Sequence, residues 1–350
     1  MHEYRNKEHH TMLTRRSAVA LAIAGAVLIA LAALLRLAVI PFMTKLPEDL
    51  DAKVRFEGTM MLLNSQALAS GDVSDAIVDG IPISVDRHVR VAATVGDIAI
   101  VHDKSTINGP NGMSMGQSHV YAVDRVSFGR APAPAGMEVE PHEGITVSLP
   151  INPPADNSMK LWEAVTQNGV PLSYTGSGVV LGRAINNYTG IAVGSVKDDA
   201  TLKRFPPELP KRMIEQILPQ LPPDTQTRIR AAIPLLPDIT PLSYSATNTV
   251  RLAADARLGM PITAAREQKI VARLDLNGEY VDLLPVMALK VDLTGQSSAE
   301  AAARAQALGR TLDLVEVWAP LALVVAGFGL VAVAVMRRKA RTGDRLYDFH

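Results

Sequence analysis

"LALVVAGFGLVAVAVMRRKARTGDR", residues 321–345, runs an apolar stretch straight into a basic cluster, and the chain is uncharged from Val317 to Met336. The other end mirrors it. Arg15 and Arg16 precede "SAVALAIAGAVLIALAALL", uncharged from Ser17 to Leu35. A helix rising about 1.5 Å per residue needs about twenty such residues to cross about 30 Å of hydrocarbon. Neither run shows a polar face at helical period, so both are expected to be membrane spans rather than core helices of a soluble domain.

Basic residues resist translocation and set orientation. Arg5, Lys7, Arg15 and Arg16 lie before the first run, and Arg337, Arg338, Lys339, Arg341 and Arg345 after the second. The inner flanks are poorer in basic residues: Arg36 and Lys45 stand near Glu48, Asp49 and Asp51, and Arg310 near Asp313 and Glu316. Both termini are therefore expected in the cytoplasm. The implied division is a basic tail over 1–16, a span over 17–40, an outer domain over 41–316, a span over 317–336 and a second basic tail over 337–350. The "ALA" at 30–32 has the spacing of a signal cleavage site, but the apolar run continues through "LAVIPF", longer than a signal core. An uncleaved anchor is expected.

The absence of cysteine and the formal net charge of zero fit an exported domain held by its own core and carry no nucleic-acid footprint. Within the outer segment, "VRVAATV" at 89–95 alternates with period two. "DIAIVHD", "SHVYAVDRVSF", "GITVSLP" and "GIAVGSV" read as further strands, punctuated by turns such as "NGPNG" at 108–112. Residues 247–276 predict two strands joined near Leu258 and Gly259, and Pro285 predicts an edge or a bulge in a later strand.

A proline-rich insertion over 203–241 interrupts the β pattern, with nine prolines across 206–241. Two short helices fit, Glu208–Leu218 and Thr225–Ile233, the second capped by Asp224. Met213, Ile217, Leu218 and Leu221 gather on one side. They predict either a cap on the end of the sheet or an apolar surface facing a lipid ligand. A stalk helix over 298–316 opens with Ser297 answered by Glu300, a capping box, and leads to Trp318 at the membrane interface. The fold class is therefore α+β: a β-rich outer domain with a helical insertion, flanked by two transmembrane helices.

Catalytic constellations are scarce. His88, His102, His119 and His142 lack metal-site spacing and are expected to be surface or strand residues. "YTGSGVVLGR" at 174–183 has glycine spacing one residue too long for a dinucleotide loop, and a hairpin turn explains it. No catalytic residue, metal or cofactor is implied.

Several segments together resemble an actinobacterial membrane family catalogued as domain of unknown function 3068 and labelled PorA-like porins. The resemblance rests on "LPEDLDAKVRFEGTMML" at 46–62, "HVYAVDRVSFGR" at 119–130, "GVPLSYTGSGVVLGRAINNYTG" at 169–190, "TVRLAADARLGMPITAAREQ" at 249–268 and the C-terminal span with its basic tail. It implies a non-catalytic role in handling envelope lipids or lipoglycans, with envelope biosynthesis or transport proteins as partners. A pore is the alternative and requires oligomerisation, since a bilayer-spanning β-barrel uses no apolar helices. A scaffold for an envelope enzyme is a third expectation.

Overall fold

A computed structural model describes residues 2–64, 67, 70, 76–276 and 278–344. In chain order it contains helix α1 (His2–Leu34), strands β1 (Asp51–Leu63), β2 (Ile77–Val95), β3 (Ile98–Asn108), β4 (Ser114–Asp124), β5 (Lys160–Glu163), β6 (Asn168–Val180) and β7 (Arg183–Ser195). The insertion follows with β8 (Glu208–Pro210), helices α2 (Lys211–Ile217) and α3 (Pro223–Ala232), and β9 (Ile239–Pro241). Strands β10 (Ser243–Asp255), β11 (Pro261–Leu276) and β12 (Glu279–Leu293) precede helices α4 (Gly295–Asp313) and α5 (Ala319–Asp344). The chain divides into two units, Met1–Lys45 with Gln306–His350, and Leu46–Ala305.

In the first unit two helices are long and apolar enough to cross a membrane. They pack through small residues. A Cβ added to Gly25 would lie 2.5 Å from the Gly327 carbonyl oxygen, and one on Gly327 would lie 2.8 Å from that of Gly25. Gly25, Ala32, Gly327 and Ala334 are buried, while Ile23, Val325 and Phe328 point outward. A water-soluble helix pair buries its large apolar side chains; this pair buries its small ones and presents the large ones, as lipid requires. Each helix also contains a π-helical turn, Leu35–Val39 and Leu314–Trp318. A proline follows each two residues later, Pro41 and Pro320. Proline has no amide, and its ring crowds the carbonyl four residues back; widening the preceding turn relieves that conflict.

In the second unit ten strands form one antiparallel sheet in the order β4-β3-β2-β1-β12-β11-β10-β7-β6-β5. Bulges at Met60/Leu62, Val91/Ala93, Tyr174/Gly176, Ala253/Ala254 and Ile270/Val271 increase its twist and curl it. Pro285 takes part in the last of these, inside a central strand, so it marks a bulge and not an edge. The segment between β4 and β5 bridges the two edges. Ala131 and Glu140 amides donate to the Ala122 and Val120 carbonyls of β4, and Ile145 donates to the Lys160 carbonyl of β5. Exposed edge groups are thereby satisfied.

The concave side is filled. Met60, Ile83, Tyr244, Ile270 and Met287 form one buried cluster, Val89, Val101, Tyr121 and Val123 a second, and Leu149, Leu172 and Tyr188 a third. The convex side is mixed: Lys53, Arg55 and Glu57 on β1, and Asp282, Lys290 and Asp292 on β12, are exposed, as are Ile191 and Val193 on β7.

Three turns share one design. Asp124 Oδ1 accepts the Val126 and Ser127 amides at 3.1 and 2.7 Å. Glu163 accepts those of Val165 and Thr166 at 3.2 and 2.8 Å. Asp255 Oδ1 accepts those of Arg257 and Leu258 at 3.1 and 2.9 Å. The fifth residue of each is left-handed, Phe128 at φ 60°, Gln167 at 50° and Gly259 at 67°. An acidic side chain thus closes the loop that a positive-φ residue reverses.

Several expectations are corrected. "GITVSLP" is not a strand: Ile145 donates to Lys160 while Leu149 donates to Gly259, so the segment changes partners along its length. Residues 208–210 pair with 239–241 instead of opening a helix, because Pro210 stands at the helix start. Asp224 lies inside α3, whose cap position is Pro222. The capping hydroxyl of α4 belongs to Thr294, which accepts the Ser297 amide at 3.2 Å; the Ser297 hydroxyl instead accepts the Arg55 amide at 3.0 Å.

Candidate functional site

The strand register places the helical insertion at the end of the sheet opposite Leu46 and Gly295, where the chain enters and leaves the sheet. Met213, Ile214 and Ile217 share one face of α2 and are buried there. Pro219, Pro222 and Pro223 then turn the chain, and the Gln226 side chain donates to the Leu221 carbonyl at 2.8 Å. All four residues singled out from the sequence come together. Met213, Ile217, Leu218 and Leu221 are between 3% and 9% exposed, in one cluster with Leu274 of β11 and Val281, Leu283 and Leu284 of β12. Their partners are side chains of the sheet.

A different region offers open space. An open depression of about 560 Å³ is lined by Arg130, His142, Glu143, Trp162, Gln167 and Asn168. The bridging segment supplies Arg130 and His142, and the β5–β6 hairpin supplies Trp162 and the two amides. Gly169 keeps the hairpin close to the bridge, since a Cβ there would lie 2.8 Å from the Glu143 Cβ. His142, expected on a surface or strand, is buried in the bridge. Its Nε2 lies 2.9 Å from the Ala122 carbonyl oxygen and its Nδ1 3.1 Å from that of Gly144. The ring stands edge-on to Tyr121 and Trp162, with centroids 5.2 and 6.4 Å away. Burial pushes the Tyr121 hydroxyl well above its ordinary range, so it stays protonated.

The arrangement combines an aromatic face with amide, guanidinium and carboxylate groups. It can stack on one face of a polar ring and hydrogen-bond the rim. Among the described residues no three His, Asp or Glu side chains gather as a metal cage. Nothing in the sequence singled out this cavity, since its residues lie in segments 130–143 and 162–170 that only tertiary closure brings together. A second cavity, about 310 Å³, lies on the sheet among Thr59, Asp79, Thr247, Glu267 and Lys290.

Beside the aromatic group, His119 Nδ1 lies 2.8 Å from Glu140 Oε2. That hydrogen bond raises the imidazole above its ordinary value of 6.5, against the opposing effect of burial. A raised folded-state value stabilises the fold fully below pH 6.5 and loses that contribution as pH rises through the raised value. His119→Gln is expected to flatten this part of the profile, read as melting temperature from about pH 5 to about pH 9. An unchanged slope in the variant would assign the pH dependence elsewhere.

The profile of a family described as "Porin PorA" matches residues 17–336. No curated protein matches the chain. Among solved structures, a putative MaoC domain protein dehydratase from Chloroflexus aurantiacus J-10-fl is 12% identical over 76% of this chain and 80% of that one, at a TM-score of 0.14. An acyl-ACP thioesterase from Bacteroides thetaiotaomicron VPI-5482 is 12% identical over 71% and 77%, at 0.13. Superpositions that poor carry no inference about fold or activity.

Proposed function

Since the chain belongs to the PorA porin family, we propose that it is an inner-membrane protein of an actinobacterial envelope, anchored by two helices with both termini in the cytoplasm, whose outer β unit handles envelope lipid or lipoglycan without catalysing a reaction. The observation that carries this reading is the opposite surface chemistry of the two units. The helix pair presents Ile23, Val325 and Phe328, whereas the sheet presents Lys53, Arg55, Glu57 and Lys290. The first surface suits hydrocarbon and the second suits water. The cavity beside Trp162 supports the lipoglycan part, because sugar rings are bound by an aromatic face and a rim of amides and charges.

A pore is the second reading, favoured by the family itself. The sheet is poorly suited to form it. A membrane barrel needs an apolar outer band and a lumen; here the outer face mixes charges such as Lys53, Arg55 and Lys290 with apolar residues such as Ile191 and Val193, and the inner face is packed. Conductance would have to come from oligomers of the helix pair. The test is twofold: lipid extracted from the purified full-length protein is identified, and the same preparation is placed in a planar bilayer. Co-purifying lipoglycan with no conductance steps is expected. Bare protein that conducts would reverse the order of the two readings.

A further inference from the structure

The acid-closed turns fill their left-handed position in different ways. Gly259 has no side chain there, and Phe128 places its ring in the core, 6% exposed. Gln167, at φ 50° in the turn from β5 to β6, does neither. Its side chain is exposed, forms no hydrogen bond among the described residues and lines the depression beside Trp162. Left-handed backbone is unfavourable for any residue with a Cβ, so glycine would serve this turn better. An exposed side chain kept against the preference of its own backbone marks a ligand-facing position.

The charge around the depression is unbalanced. Its lining holds one carboxylate, Glu143, and one guanidinium, Arg130. Glu143 is already paired, with Oε2 3.7 Å from Lys160 Nζ. Arg130 is exposed and forms no ion pair among the described residues. A further ammonium reaches the lining from β7's far end: Lys197 Nζ donates to Asn168 Oδ1 at 3.5 Å, and it too has no carboxylate partner among the described residues. His142 adds no free polar atom, because its ring nitrogens face the Ala122 and Gly144 carbonyl oxygens. Uncompensated positive charge therefore stands beside an indole ring and two neutral amides.

We propose that the depression binds a sugar ring carrying an anionic substituent. The Trp162 ring covers a C–H face of the sugar, and the Gln167 and Asn168 amides hydrogen-bond its hydroxyls. Arg130 and Lys197 take the phosphate or carboxylate, whose oxygens match the guanidinium fork. This rests on the lipoglycan reading given above and narrows it to acidic glycans.

The chain has two tryptophans, so full-length Trp318→Phe protein in detergent reports through Trp162 alone. Its emission is followed during titration with glucose 6-phosphate, glucuronate, glucose and inorganic phosphate. The expected result is a saturable change with one or both acidic sugars, and glucose and inorganic phosphate each at least about tenfold weaker, the loss of a single charge-assisted or paired contact. Which acid binds the tighter tells phosphate from carboxylate. Arg130→Gln should remove the preference for the acidic sugar over glucose. Gln167→Gly should weaken it by about tenfold while keeping or raising the melting temperature, since glycine is the better turn residue. Binding unchanged in Gln167→Gly would overturn the role of Gln167. Glucose bound as tightly as both acids, or inorganic phosphate as tightly as glucose 6-phosphate, overturns the acidic-sugar assignment and leaves the lipoglycan reading in place. No response to any sugar, from protein that still co-purifies with lipoglycan, overturns the depression as the site alone. No response together with no co-purifying lipoglycan removes both.

Discussion

Replacing Ile217 and Leu221 together by aspartate is expected to abolish cooperative unfolding of the β unit. Both side chains are buried against Leu274, Val281 and Leu283, 3% and 7% exposed. Each substitution loses about 1.5–3 kcal/mol of apolar burial. Each also confines a carboxylate, or the protonated acid that replaces it, where no partner is built, at a cost of several kcal/mol more. Together they approach the whole stability of a typical domain, about 5–15 kcal/mol. Gln216→Asp, on the exposed side of the same helix, is expected to change stability by no more than about 0.5 kcal/mol. The measurement is thermal unfolding of the full-length protein in detergent, with bound lipid quantified in parallel. Lipid lost at an unchanged melting temperature would instead make this face a ligand surface, as one of the two sequence-based expectations holds.

Asp255→Ala is the second large effect. The Asp255 carboxylate is 1% exposed and does two things at once. One oxygen accepts the Arg257 and Leu258 amides that close the β10–β11 turn, and the other accepts Arg183 Nε at 2.7 Å. Removing it leaves the Arg183 guanidinium, mostly buried, without that partner and opens the turn, a loss of about 3–5 kcal/mol. Asp255→Asn keeps an acceptor for the turn amides but not the charge, and should fall between. The exposed pair Arg251 and Glu267 gives the contrast: Glu267→Gln should leave the melting temperature unchanged, because water already screens it. Equal effects at Asp255 and Glu267 would refute the argument from burial.

The same residue illustrates how much was legible beforehand. "DAR" before "LG" at 255–259 announces a turn, since an acidic residue and a glycine bracket a break between two β patterns. Arg183, its ionic partner, lies 72 positions away. No local pattern connects them. Glu163 was harder still: it closes its turn as Asp255 does and also accepts the Asn248 side chain at 2.6 Å across the sheet. Its turn uses Gln167 at positive φ where a glycine would have signalled the reversal. Phe128 conceals the turn after β4 in the same way.

By itself the sequence determined what depends on neighbours along the chain. Two uncharged runs of span length, period-two strands, the hairpins near 181–182 and 258–259 and the proline-rich insertion all follow from local hydrophobic periodicity and backbone sterics. The pairing of Gly25 with Gly327, the bridge from β4 to β5, the burial of His142 and the cavity beside Trp162 were decided by tertiary structure alone. Each is a choice of partner between distant segments, and an apolar or hydrogen-bonding group carries no mark of which distant partner it will meet. The insertion shows the division most clearly. Its spacing put Met213, Ile217 and Leu218 on one side, but the side chains packed against that side, Leu274 and Leu283, are brought there only by the folded sheet.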